Sequence, residues 1–275
     1  MIDEILAGDL GAVEKAIRTA VADEVMPRYR QLAAHEIVEK KGPHDLVTIA
    51  DRQAEEHLTN ALTKLLPGSV VVGEEAVHAD PAVLTALGGD APVWIVDPVD
   101  GTRQFVHGDP GFATLVALAH GEELLASWTY APVFDQMAIA RRGGGALLNG
   151  EPIHCGSPEP GAVLHVAVSH YDFTTDAEKR ALSGLEVPGV EVRPCGSAGL
   201  EYLNVARGLL DAVAFTWENA WDHAAGLLLV GEAGGAHATL SREPFRITGG
   251  NALPFTAARD EAAVAHILGL LAAAG

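Results

Sequence analysis

The apolar positions change rhythm along the chain. From Asp9 to Met26, Leu10, Val13, Ile17, Val21 and Val25 recur at three- and four-residue steps, which predicts an amphipathic helix with Asp9 as N-cap and Pro27 as its stop. A second helix is predicted from Thr48 to Leu66, with Ile49, Leu58, Leu62 and Leu65 on one side and Pro67-Gly68 ending it. Between the two, Glu39 to His44 reads as a polar loop. The rhythm then shortens. Val70 to Val72 and Val93 to Val96 are β-branched runs that stop abruptly at acidic residues, so both read as buried strands with carboxylates at their C-terminal ends. Ala113 to Ala119 and Leu124 to Tyr130 flank His120-Gly121 as a hairpin, followed by a strand from Gln136 to Ala140 and a turn at Asn149-Gly150.

Beyond Ile153 strands and helices alternate: strand Val163 to Ser169, helix Asp176 to Ser183, strand Val190 to Pro194, helix Ala198 to Arg207 and strand Asp211 to Phe215. A helix from Trp221 to Ala233, a strand from Ala236 to Leu240 and a terminal helix from Asp260 to Ala273 complete the pattern. Such alternation favours a layered α/β half. The junction at residues 150–160, with Gly156, Pro158 and Pro160, reads as an internal seam within a single domain spanning 1–275.

Composition narrows this picture without naming a chemistry. A chain of 275 residues, 48% hydrophobic, can bury a large core without covalent staples. Its two cysteines, Cys155 and Cys195, lie outside any CxxC or Cys/His ligand pattern, so a reducing, cytoplasmic setting is expected. The N-terminus lacks a basic stretch followed by an apolar one, and no run of about 18 apolar residues occurs, so neither an export signal nor a membrane span is expected. Eighteen basic against 37 acidic side chains give a net charge of −19, which disfavours nucleic acid as a partner. A small phosphorylated substrate would be repelled too, unless cations intervene.

Candidate chemistry centres on WIVDPVDGT, Trp94 to Thr102. Asp97 and Asp100 follow a buried strand, where Pro98 restricts the chain and Gly101 permits an unusual turn, so both carboxylates can face one pocket. Glu74 and Glu75 close the preceding strand, and Asp222 opens the apolar helix of AWDHAAG. Taken singly, these acids also read as turn formers, a solvated pair and an N-cap. Clustered, their oxygens suit a hard cation such as Mg2+; zinc is disfavoured because the histidines are scattered and HExxH is absent.

The order and spacing of KKGPHDLVTIAD, VVVGEE, WIVDPVDGT, AWDHAAG and GEAGG resemble the inositol monophosphatase family over residues 40–235. The resemblance implies an α/β fold, the five-layer αβαβα sandwich of the inositol monophosphatase and fructose-1,6-bisphosphatase type. It implies a phosphoric monoester hydrolase with two to three Mg2+ per site, acting on a small polyol or sugar phosphate such as inositol monophosphate, and a homodimer. Glu74, Asp97 and the Val99 carbonyl would hold one ion; Asp97, Asp100 and Asp222 a second; a weaker third would lean on Glu74. The Gly101 and Thr102 backbone N–H groups would hold phosphate oxygens at a helix start. Thr102 would pair with Asp51 to orient and deprotonate the water that attacks phosphorus in line, with Glu74 also in the catalytic set. Lys41, beside Lys40 in a loop over the site, would offset outer phosphate charge.

Departures from the family pattern concern the leaving group. Phe215 stands where inositol-specific members carry a glutamate that contacts a sugar hydroxyl; Glu218, three residues on, is a substitute, and Trp217 offers a surface for stacking. Arg103 stands where many inositol phosphatases are neutral, and Gly196 and Ser197 match a substrate-side loop, with Ser197 equally readable as an N-cap. Histidinol-phosphate or 3'-phosphonucleotide hydrolysis, and a silent binding or regulatory protein on the same fold, are the alternative readings.

Overall fold

The computed structural model describes residues 10–42, 45–159 and 161–274. Helix α1, Leu10–Ala20, continues through a π-helical turn, Val21–Val25, and buries Val13, Ile17, Val21 and Val25 on one side. Its expected cap, Asp9, lies outside the described residues. Helix α2, Ile49–Leu65, starts from a reciprocal cap: Thr48 Oγ1 accepts from Ala50 N at 3.1 Å, and Asp51 Oδ2 accepts from Thr48 N at 2.8 Å.

The polar loop expected from Glu39 is instead mostly strand. β1, Ile37–Gly42, pairs antiparallel with β2, Asp45–Thr48, through Val38↔Val47 and Glu39↔Leu46. Cross-strand main-chain pairing decides the conformation there, overriding the polarity of the local sequence. His44, the end of that expected loop, lies outside the described residues.

A seven-stranded sheet follows in chain order: β3 Val70–Gly73, β4 Val93–Asp100, β5 Ala113–His120, β6 Glu123–Ala131, β7 Gln136–Arg141, β8 Gly145–Leu148 and β9 Glu151–Ile153. Within this sheet β3 and β4 run parallel and the other described pairs antiparallel; the register Gly73↔Val96 brings the C-terminal ends of β3 and β4 side by side. A five-stranded sheet has the order β11-β10-β12-β14-β13, from β10 Leu164–Val168, β11 Val190–Pro194, β12 Ala212–Phe215, β13 Ala236–Thr239 and β14 Phe255–Ala258.

Side-chain alternation along the strands sorts these elements into layers. Trp94, Val96, Val116, Leu118 and Trp128 face α1 and α2 on one side of the large sheet. Ile95, Leu115 and Ala117 face the other way, onto Ala220, Ala224 and Ala225 of α7, Ala220–Glu232. Together with α6, Ala198–Ala206, this helix fills the space between the sheets and meets Ala167, Val213, Phe215 and Phe255 of the small one. The outer face of the small sheet, including Val166, Val168, Ala212 and Ala214, is covered by α5, Asp176–Ser183, and α8, Glu261–Ala274. The stacking is αβαβα, as expected. Among the described residues, no helix is long and apolar enough to cross a membrane. The joined ends of β3 and β4 open toward the N-terminal ends of α6 and α7, and the acidic residues gather there.

Candidate active site

Asp97 and Asp100 occupy the last turns of β4 and are buried. The strand breaks register between them, and Thr114 Oγ1 donates to the freed Pro98 carbonyl at 2.7 Å. Asp97 Oδ1 accepts from Val99 N at 3.0 Å. Asp100 reaches the start of α6, accepting from Ala198 N at 3.0 Å, Gly199 N at 2.7 Å and the Ser197 hydroxyl. Asp222, in the first turn of α7, accepts on Oδ2 from Trp217 Nε1 at 2.8 Å and Asn219 Nδ2 at 3.0 Å. Oxygens of these three carboxylates lie within 4.8 Å of one another.

Glu74 opens the short helix α3, Glu74–Ala79, and shares with Asp100 and Asp222 a cavity of about 320 Å3. Burial and then the charge of Glu74 hold Asp97 well above the usual carboxylate range. The same two causes, in the same order, push Asp222 up to about 8, and burial pushes Asp100 up to about 6 against its three donors. Acids this close repel one another when ionised, and hard oxygen donors in this grouping fit a divalent cation such as Mg2+.

Beside the acids, Gly101 turns the chain at φ +87°, where a Cβ would stand 2.9 Å from the Gly111 carbonyl oxygen, so glycine is required on both counts. It caps α4, Thr102–His107. The Thr102 hydroxyl lies 3.2 Å from Asp51 Oδ1 and 3.0 Å from the Val99 carbonyl oxygen. Burial pushes Asp51 up to about 7, with Thr48 hydrogen bonding opposing the rise.

The sequence signature of the inositol monophosphatase family spans residues 7–271 of the chain. The protein belongs to that family. Inositol-1-monophosphatase from Rhizobium meliloti is 39% identical over 207 residues, covering 72% of this chain and 73% of its own. The Bacillus subtilis inositol-1-monophosphatase is 32% identical over 253 residues, covering 89% and 87%. The crystal structure of extragenic suppressor protein suhB from Bartonella henselae superimposes with a TM-score of 0.76 at 28% identity, covering 95% of this chain and 96% of its own. This phosphatase is accordingly a phosphoric monoester hydrolase.

Within it, Asp51, Glu74, Asp97, Asp100, Gly101, Thr102 and Asp222 converge, with the Val99 carbonyl at the Thr102 hydroxyl. Several residues assigned to the substrate do not. Phe215 is fully buried in β12 against Tyr202, Trp217 and Phe255, since an aromatic ring at an inward strand position joins the core. Glu218 turns away and accepts from Asn251 N at 2.8 Å and Asn251 Nδ2 at 2.9 Å. The Ser197 side chain is buried, donates to Asp100 and accepts from Leu200 N at 3.3 Å as the N-cap of α6. Gly196 and Arg103 do line the cavity, and Arg103 Nη1 is paired with Asp172 Oδ2 at 2.6 Å. Lys41 lies in β1, with its side chain, like that of Lys40, outside the described residues.

Sequence reasoning passed over Glu55. Its buried carboxylate accepts from Glu75 N and Ala76 N, both at 2.8 Å, and so anchors the helix that carries Glu74. Two acids four residues apart on a helix, Asp51 and Glu55, share one face, a signal present in the sequence. Asn219 carried no such mark.

Proposed function

We propose that this phosphatase hydrolyses a small polyol or sugar monophosphate, with inositol monophosphate as the type substrate, and depends on Mg2+. The observation that carries the reading is a three-carboxylate cluster beside a threonine–aspartate pair, with Glu74, Asp100, Thr102 and Asp222 lining one cavity. The names of the relatives favour the inositol phosphate. Bound Mg2+ would offset the phosphate charge and polarise the ester, which a protein of net charge −19 otherwise repels.

Glu74, Asp97, Asp100, Asp222 and the Val99 carbonyl are the ligands proposed for two to three ions. Gly101 and Thr102 main-chain N–H groups hold phosphate oxygens. The Thr102 hydroxyl orients the attacking water, and Asp51, 3.2 Å from that hydroxyl, takes its proton. Attack forms one P–O bond as the bond to the leaving oxygen breaks, and that oxygen takes up a proton from solvent to depart as the alcohol.

Purified protein with millimolar Mg2+ is expected to release phosphate from inositol monophosphate, to stop in EDTA and to recover on adding Mg2+. Asp97→Asn is expected to lower turnover by at least about a hundredfold, as loss of a buried electrostatic stabiliser does. No release from inositol, glycerol, histidinol, fructose bisphosphate or 3'-phosphonucleotide substrates would overturn the proposal. A homodimer is part of the same reading; light scattering is expected to give twice the 28.7 kDa chain mass.

A further inference from the structure

Asp222 is held differently from the other acids of the cluster. Asp97 is fixed by the main chain of its own turn, and Asp100 by the start of α6. The Asp222 carboxylate is gripped by side chains, Trp217 Nε1 at 2.8 Å and Asn219 Nδ2 at 3.0 Å, and both end on Oδ2. A carboxylate oxygen has two lone pairs, so these donors fill that oxygen and leave Oδ1 as the one offered to the cluster.

The tryptophan is itself immobilised from behind. Its ring lies 4.3 Å from that of Phe215, and its carbonyl oxygen is 3.0 Å from His223 Nε2. A carbonyl only accepts, so His223 carries its proton on Nε2, and Nδ1 accepts from the Tyr202 hydroxyl at 3.0 Å. The Tyr202 ring is pressed so closely on α7 that a Cβ at Gly226 would stand 2.1 Å from it. A hydrogen-bonded chain thus runs from Tyr202 through His223 and Trp217 to Asp222.

We infer that Trp217 is a positioning residue for the cation-binding carboxylate: its indole N–H occupies Asp222 Oδ2 and selects Oδ1 as the ligand oxygen. The inference rests on the reading of the acid cluster as a cation site. Trp217 also lines the cavity, so a stacking role toward substrate is the competing explanation. The two separate cleanly, because one acts on cation affinity and the other on KM.

Mn2+ binding followed by electron paramagnetic resonance, with Mg2+ calorimetry alongside, tests it on wild type, Trp217→Phe, Asn219→Ala and Phe215→Leu. Trp217→Phe keeps a ring and removes the N–H; Mn2+ affinity is expected to fall about 10- to 100-fold, the usual cost of losing a partner of a metal ligand. The Mg2+ concentration for half-maximal activity should rise in step, while KM at saturating Mg2+ stays unchanged. Asn219→Ala, at an exposed position, is expected to fall less in the same direction and stands in if Trp217→Phe does not fold. Phe215→Leu, which disturbs packing but leaves the N–H, should lower thermal stability more than cation affinity. Wild-type Mn2+ affinity in Trp217→Phe, or in Asn219→Ala where that variant stands in, overturns the inference, as does a raised KM with unchanged affinity. Wild-type protein that binds no Mn2+ sinks the cation reading and this inference together; normal wild-type binding with an indifferent Trp217→Phe sinks this one alone.

Discussion

Thr102 Oγ1 stands between two acceptors, Asp51 Oδ1 at 3.2 Å and the Val99 carbonyl oxygen at 3.0 Å, and its single proton can serve only one at a time. Asp51 is steadied from the opposite side, where Oδ2 accepts from the Thr48 main chain and hydroxyl. On the proposed mechanism the pair handles the proton of the attacking water, and a helix cap fixes it in place. Thr102→Val and Asp51→Asn are each expected to lower kcat by about 10^2- to 10^4-fold, the range of general acid–base contributions. Mn2+ affinity should stay near wild type in both. Loss of cation binding in either variant would reassign the pair to metal support.

The acid cluster gives metal-free protein a definite pH response. Asp51, Asp100 and Asp222 have folded-state values of about 7, 6 and 8, raised first by burial. A raised carboxylate binds its proton more tightly in the folded state, so its stabilising contribution is complete below the ordinary value of about 4 and is lost as pH rises through the folded value. In EDTA, Tm is expected to fall from about pH 5 to pH 8. Millimolar Mg2+ should flatten that slope, because bound cations replace protons in offsetting the charges. Scanning fluorimetry across this range with and without Mg2+ measures it; a slope that Mg2+ leaves untouched would contradict cation binding at these acids.

Gly73 separates Glu55 from the helix that Glu55 anchors. Its φ of −105° suits any residue, so space alone excludes a side chain: a Cβ would stand 2.3 Å from Glu55 Cδ. Gly73→Ala must displace a buried carboxylate from Glu75 N and Ala76 N. The expected cost is about 1–3 kcal/mol in denaturant unfolding, the price of unsatisfied buried groups, with weaker Mn2+ binding through a displaced Glu74. A variant as stable as wild type would mean that Glu55 has another resting place.

Much of this was legible in the sequence because the acids sit where strong patterns end. β-Branched runs located β3 and β4, and their abrupt acidic ends located Glu74, Asp97 and Asp100. The register that joins those ends is long-range, and so is the αβαβα stacking; the family resemblance supplied both. Phe215 misled because its place in a motif was read as a place in the pocket, whereas an inward-facing strand position buries whatever ring it carries. Ser197 and Glu218 have ordinary polar side chains whose partners, Asp100 and Asn251, are brought close only by folding. The strand at Glu39 was hidden by its charges, since main-chain pairing leaves no local mark. β14, Phe255–Ala258, is too short for a clear period.

Chain order gives the layering a meaning in time. Synthesis from the N-terminus completes the large sheet at Ile153 with Asp97 and Asp100 already on it, while Asp222 arrives only with α7 and its tryptophan brace. A half-made chain on the ribosome holds two of the acids and lacks the third. Only a chain extended through α7 presents the full cluster, so occupancy by a cation would report that the helix layer between the sheets is in place.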